Sequence, residues 1–364
     1  MRTLPPKALP RWAELLLLPA LNLLLALTLT ALLVAAVGHD PWEALRAIAE
    51  GSLGSADAVG YTLFYATDMV FAGLAVAVAF QGGLFSIGAE GQASFAGLGV
   101  ALPALGAAWL PGGLPAPLLV PSCIVSGAAF GALWAAVPGW LQARRGSHIV
   151  ITTIMFNFLA ASLLVYLLVN VLIAPGSMAP ETRPFPSGAI LPRLHLPGLP
   201  TSAPLNAALP LALVAAAAIW LLVWRTPWGY ALRVLGQSAE VARYAGVRAG
   251  RMTVAAMALS GALASGVAAN ELMGAQGKLV IGFVSGTGFT GIAVALMGRN
   301  HPGGVLVAAL LFGALTQGGA ELAFALPDIP SEIVVLIEGL VILLTGGMGA
   351  LFRTPLTRLL GRPA

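Results

Sequence analysis

Residues 80 to 92 read Phe80-Gln-Gly-Gly-Leu-Phe-Ser-Ile-Gly-Ala-Glu-Gly-Gln92, between two long apolar runs. The stretch carries one carboxylate, Glu90, and four glycines within ten residues: Gly82, Gly83, Gly88 and Gly91. A charge at the centre of a bilayer costs about 2.5–3.5 kcal/mol. So dense a set of glycines makes a poor regular helix. Irregular backbone beside an ionisable group survives at membrane depth only where it is buried in protein or lines a cavity. The stretch therefore reads as a broken segment, near 81–91, that shapes a passage, with the four glycines as its hinge.

The rest of the chain supplies the wall of that passage. Of 364 residues, 59% are hydrophobic and 9% are charged. A soluble domain carries about 25% charged residues. The composition predicts a single all-α polytopic membrane domain. The net charge of +4 comes from basic residues too scattered to bind nucleic acid. The one cysteine, Cys123, lies inside an apolar run, so neither an internal disulfide nor a zinc cluster is expected. The four histidines, His39, His148, His195 and His301, are far apart, and no metal site is expected. Neither Lys7 nor Lys278 has the glycine spacing of a phosphate loop, and no HExxH motif occurs. No catalytic residue and no cofactor are predicted, and the chain has no route of that kind to ATP.

Apolar runs predict about ten transmembrane helices: 15–37, 62–80, 92–110, 118–137, 149–173, 207–224, 252–272, 284–298, 304–322 and 332–350. The segment 284–298 is short for a full crossing. The first run is 23 residues long, longer than the core of a signal peptide, and reads as a retained helix. With the N-terminus inside, 14 of the 18 Lys and Arg residues fall on the cytoplasmic side. Arg46, Arg183, Arg193 and Lys278 fall outside. The positive-inside rule supports that orientation, and an even number of spans puts both termini in the cytoplasm. Residues 1–60 form an N-terminal helix and outer segment, 61–350 the core, and 351–364 a cytoplasmic tail. Most of the 44 glycines serve close helix packing, as Gly127 and Gly131 would with their spacing of four.

Two segments outside the spans stand apart. The outer loop 174–206 holds eight prolines and reads as a stiff, extended cover over the outer mouth. The cytoplasmic segment 225–251 contains good helix formers from Ser238 to Ala245, closed by Gly246 as a C-cap. A short helix there is either an amphipathic surface element or a handle for a partner protein.

The acids at membrane depth are Asp68, Glu90, Glu271, Glu321 and Glu338. Glu271 and Glu321 read as helix-end residues, and Glu338 is intermediate. Asp68 and Glu90 are either structural or part of a pathway. On the second reading they could carry ions in a secondary transporter driven by a gradient.

Four blocks in order resemble a known family. They are Gly73 to Gln92, His148 to Asn157, Gly236 to Gly246 with Ser260 to Gly266, and Gly288 to Pro302. Together they are similar to the permeases of ABC importers for nucleosides and simple sugars, relatives of the ribose and branched-chain amino-acid permeases. The likeness runs from about Tyr61 to Gly349. The N-terminal region up to Gly60 resembles the longer of the two permease types often paired in nucleoside systems. Two positions depart from the pattern: the family usually has Asn where Ser86 stands, and commonly Glu where Ile149 stands.

The resemblance implies a solute pathway in the cell membrane shared with a second permease, more often a paralogue than a copy. It implies two cytoplasmic ABC ATPases and an extracytoplasmic substrate-binding protein, with lipid around the spans. Asp68, Ser86, Glu90, Gln92, Asn157 and Phe289 become candidate pathway residues. The helix near 238–246 becomes the coupling helix. In it Gln237, Ser238, Glu240 and Arg243 would meet the ATPase, and Tyr244 would anchor it.

Overall fold

The computed structural model describes residues 38–107, 115–194 and 202–325, together with Leu24, Thr28, Ala31, Leu32, Val34, Ala35 and Gly339. The expected spans 15–37 and 332–350 lie almost wholly outside the described residues. Glu338, His195 and the tail lie outside them as well.

Among the described residues the chain is helical, with two isolated bridges and no named strand. We number the helices α1 Pro41–Leu53, α2 Ala56–Gln81, α3 Ala89–Ala107, α4 Ala116–Arg145, α5 Ile149–Asn170 and α6 Ala208–Arg225. Then follow α7 Pro227–Gln237, α8 Ala239–Tyr244, α9 Ala249–Ala268, α10 Thr287–Met297 and α11 Pro302–Ala325. A π-helical stretch, Ala269–Gln276, continues α9. Among the described residues six helical runs are long and apolar enough to cross a membrane: Ala56–Gln81, Pro117–Arg145, Ile149–Asn170, Ala208–Arg225, Ala249–Gln276 and Pro302–Ala325. Each falls on a span expected from hydropathy. α3 falls on the expected span 92–110 and is buried on nearly every side, as a helix without a polar face must be.

The chain divides into two compact units, residues 1–59 with 314–364, and residues 60–313. In the first, α1 was not foreseen from hydropathy. Asp40 starts it by accepting a hydrogen bond from the Trp42 backbone N–H at 2.8 Å, and Pro41 stands at its first position. Val34, Ala44, Ile48 and Leu322 form the core of this unit. Gly51 lies against the Glu321 side chain, and Gly318 against Ile48.

In the second unit α3 packs against α4, α5, α9 and α10, and α4 runs beside α9. Small residues make these approaches close. Gly131 and Gly261 meet backbone to backbone, and Gly127 faces Val100. At one end lie the C-termini of α2 and α4, the N-terminus of α5, and α7 and α8. Ala79, Leu84, Ala135, Ile149, Leu232, Ala256 and Met257 knit that end together. At the opposite end the loop after α5 is packed down, where the sequence predicted only a stiff cover. The Thr182 N–H donates to Leu279 O at 3.0 Å, Phe185 to Gly277 O at 2.7 Å, and Leu191 to Met273 O at 2.9 Å. The loop's own Phe185, Ala189, Leu191 and Leu205 are buried.

The expected span 284–298, short for a full crossing, holds a helix shorter still. Its helix, α10, has 11 residues and is therefore about 16 Å long, half of the roughly 30 Å that a crossing needs. Gly282 and Gly286 take φ +72° and +81°, and residues 284–286 of the run are not helical. The chain nevertheless passes from one end of the unit to the other here. Val280 bridges to Glu181 at the far end. Asn300, just after α10, accepts a hydrogen bond on its carbonyl from Gln81 Nε2 at 3.0 Å. Loop and half-helix together make the passage.

Candidate solute pathway and coupling surface

Helix α2 stops at Gln81 because Gly83 takes φ +72°, a left-handed conformation that side chains other than glycine's disfavour. The Gly83 N–H returns to Phe80 O at 2.9 Å and the Leu84 N–H to Ala79 O at 3.0 Å. Residues 82–88 are then non-helical, and α3 begins at Ala89. The break is shorter than the expected 81–91. Glu90 and Gly91 already belong to the first turn of α3.

Side chains of α5 and α9 and backbone N–H groups at the start of α10 brace this break and the first turn of α3. Asn157 of α5 donates from Nδ2 to Ile87 O at 2.8 Å and accepts from the Gly91 N–H on Oδ1 at 3.0 Å. Thr153, one turn earlier on the same helix face, accepts from the Ile87 N–H at 3.3 Å. Ser260 of α9 donates to Gln92 Oε1 at 3.3 Å. The Glu90 carboxylate accepts from the Gly286 N–H at 3.0 Å and from the Gly288 N–H at 2.9 Å, at the start of α10. Those N–H groups have no partner within their own helix, and an anion at a helix N-terminus is favoured by the helix dipole. Gly288 lies directly on the Glu90 backbone, with no room for a side chain. The starts of α3 and α10, which follow the broken pieces 82–88 and 277–286, are thus pinned to each other.

The predicted pathway residues divide in two. Ser86 and Gln92 are buried, and their polar atoms serve the protein: Ser86 Oγ accepts from the Gly88 N–H at 3.2 Å. Asn157 and Glu90 are partly buried braces. Phe289 is 44% exposed beside Glu90 and is the one of the six whose side chain is largely free. Thr153, Ser260 and Gly288 were missed, although Thr153 and Asn157 share a helix face four residues apart.

Asp68 lies elsewhere. It is buried in α2, and Asn270 and Glu271 of the π-helical stretch are its hydrogen-bonding neighbours. Its Oδ1 has no partner among the described residues. Asn270 Oδ1 accepts from Asn206 Nδ2 at 2.9 Å, and Asn270 Nδ2 donates to Phe64 O at 3.3 Å. Glu271, read from sequence as a helix-end residue, stands beside Asp68 on this π-helical stretch. Stretches of π-helix occur often at functional sites.

The break also touches the predicted coupling segment. Gly236, near the end of α7, lies against Gln81 and Gly83, with the Gly236 Cα 3.1 Å from the space a Gly83 side chain would fill. Leu232 of α7 is fully buried against Ala79 and Leu84. Beyond it Ser238 caps α8 by accepting from the Val241 N–H at 3.3 Å. Gly246 ends it at φ +76°. Of α8 only Ala242 is buried, while Glu240, Val241, Arg243 and Tyr244 are exposed.

The family described as the permease component of branched-chain amino acid transport systems matches residues 58–346. The chain belongs to this family. It is similar to a glucose ABC transporter permease of Haloferax volcanii, 33% identical over 89% of this chain and 85% of the relative. It is also similar to a guanosine ABC transporter permease of Bacillus subtilis, 33% identical over 90% of this chain and 92% of the relative. A nucleoside ABC transporter permease of Lactococcus lactis is 30% identical over 90% and 89%. The protein is thus a permease subunit of an ABC transporter, a multi-pass protein of the cell membrane. The permease is no enzyme. ATP is hydrolysed on partner ATPase subunits, and a substrate-binding protein completes such systems. Nothing supports the ion-coupled secondary transporter.

Proposed function

We propose that the permease forms half of the solute pathway of an ATP-driven importer for nucleosides or related simple sugars, opposite a paralogous second permease. One observation carries the mechanism: the exposed helix α8 hangs from α7, whose Gly236 rests on Gln81 and Gly83 at the break. Closure of the ATPases would push α8, with Glu240 and Arg243 meeting the ATPase beside Gln237 and Ser238, and Tyr244 as the anchor. The push would reach residues 82–88 through Gly236. From there Asn157 and Glu90 would carry it to α5 and α10, moving Phe289. Rigid pieces rocking about a broken segment give alternating access.

The charge map and the passage at 277–300 support ten crossings with both termini in the cytoplasm. The guanosine, nucleoside and glucose relatives support the solute class. With Ser86 and Gln92 turned to the protein, the pathway offers few polar contacts, so selectivity falls to the binding protein. The test is reconstitution in liposomes with the ATPases, the second permease and the binding protein, followed by uptake of labelled guanosine and glucose. Uptake of one of them that requires ATP and survives an ionophore is expected. Uptake by this chain alone, lost when the ion gradient collapses, would overturn the reading.

A further inference from the structure

A cleft of about 580 Å³ opens between the C-terminal end of α4 and the N-terminal end of α9. Arg144, Arg248 and Arg251 line it, together with Trp140, Val254 and Ala258. None of the three arginines is ion-paired among the described residues. One of them has a local explanation. Arg144 stands in the last turn of α4, where a cation offsets the negative end of the helix. Arg248 and Arg251 stand at the opposite kind of terminus. Arg248 is the N-cap of α9 and makes no side-chain capping bond, and the first turn of α9 holds no acidic residue. Cations at a helix N-terminus face the positive end of the dipole and are disfavoured unless an anion lies between.

The cleft also continues an apolar surface. Leu118, Val125, Leu133, Val137 and Trp140 of α4 are all exposed and fall on one face of the helix. Such a stripe suits acyl chains. A tryptophan at its end beside arginines is the arrangement found at the level of lipid headgroups. We propose that this cleft is a binding site for an anionic phospholipid. The phosphate sits among Arg144, Arg248 and Arg251, whose planar guanidinium groups match phosphate oxygens. The acyl chains run past Trp140 along the α4 stripe. Bound there, the lipid would tie α4 to the start of α9, next to helix α8.

The full-length permease, purified in detergent, is titrated separately with dioleoyl phosphatidylglycerol, dioleoyl phosphatidylcholine and inorganic phosphate, and retained lipid is counted by native mass spectrometry. Phosphatidylglycerol should be retained and should raise the thermal midpoint; phosphatidylcholine should do neither. Arg251→Gln should weaken retention about fivefold, and the triple change of Arg144, Arg248 and Arg251 to Gln on the order of a hundredfold. Arg145→Gln, just outside the cleft, should retain the lipid as the parent does. If the triple variant does not survive purification, Arg251→Gln against Arg145→Gln decides the matter. Equal retention of the two lipids, or full retention by Arg251→Gln, overturns the proposal. Displacement of the lipid by inorganic phosphate makes this a free-anion site and overturns it also. So does a variant that keeps the lipid but loses its ATPase partners, because the arginines then form a protein contact.

Discussion

Glu90 and Asp68 are both carboxylates in the second unit, and they sit in opposite settings. Glu90 meets two backbone N–H groups at 3.0 and 2.9 Å. Asp68 has Glu271 beside it and an oxygen with no partner among the described residues. A carboxylate with two aligned donors is a strut, since removing it strands the donors. A buried carboxyl next to another, with an oxygen unserved, holds little together and is a place where charge is expensive. In an apolar protein the donors around an acid decide what it does, and its depth alone does not.

The sharpest way to break this contrast is to overfill the Glu90 region. A side chain at Gly91 would begin 2.7 Å from Asn157 Oδ1 and 2.8 Å from the Asn157 Cα. Gly91→Leu should therefore lose more than the about 1–3 kcal/mol typical of overpacking, seen as a large fall in thermal midpoint and no uptake. Gly288→Leu should match it, because that site abuts the Glu90 backbone. Normal uptake in both would remove the strut.

Next in size is the carboxylate itself. Glu90→Ala leaves two N–H groups without an acceptor, at about 1–3 kcal/mol each. Asp68→Asn keeps a polar side chain of the same size and removes an acid whose Oδ1 has no partner among the described residues, so stability should hold or rise. Thermal unfolding of the two purified variants compares them directly. A larger loss in Asp68→Asn than in Glu90→Ala would invert the comparison.

A third pair of changes asks whether the strut transmits anything. Glu240→Ala and Tyr244→Ala alter exposed side chains, and stability should stay within about 0.5 kcal/mol. The ATPase rate stimulated by the binding protein should fall several-fold in reconstituted transporter. Unchanged coupling in both would remove α8 as the contact. The smallest effect lies at the far end. Lys278 and Glu181 pair at 2.7 Å while still partly exposed, so Glu181→Gln should lose about 0.2–1 kcal/mol, less in high salt. A shift in coupled ATPase rate in that variant would mean that the cover takes part in the mechanism.

Much of this was legible along the chain. The spans at 62–80, 149–173 and 207–224 match their helices within a few residues, apart from the extra turn and a half at the start of α2, because apolar length is a local property. The break at Gly82 and Gly83 and the close of the short helix at Gly246 were legible for the same reason, since each needs only its near neighbours, whereas Ser238 was read as part of that helix and not as its cap. α1 was not foreseen because it is short and mixed in polarity, although Asp40-Pro41 marks its start. The run 284–298 reads as a span by composition, yet its helix is only Thr287–Met297 and the start of that helix is held by Glu90.

Sequence alone determined that this is a helical membrane protein with a break after Phe80, because hydropathy and glycine geometry act over a few residues. It also determined that ATP binding by a phosphate loop lies elsewhere. Only the tertiary structure decided what the acids do. The donors that hold Glu90 lie 196 and 198 residues away, and the neighbours of Asp68 stand on a π-helical stretch about two hundred residues further along the chain. Partners that distant meet only through packing of whole helices, and no local pattern encodes which of two buried carboxylates they will reach.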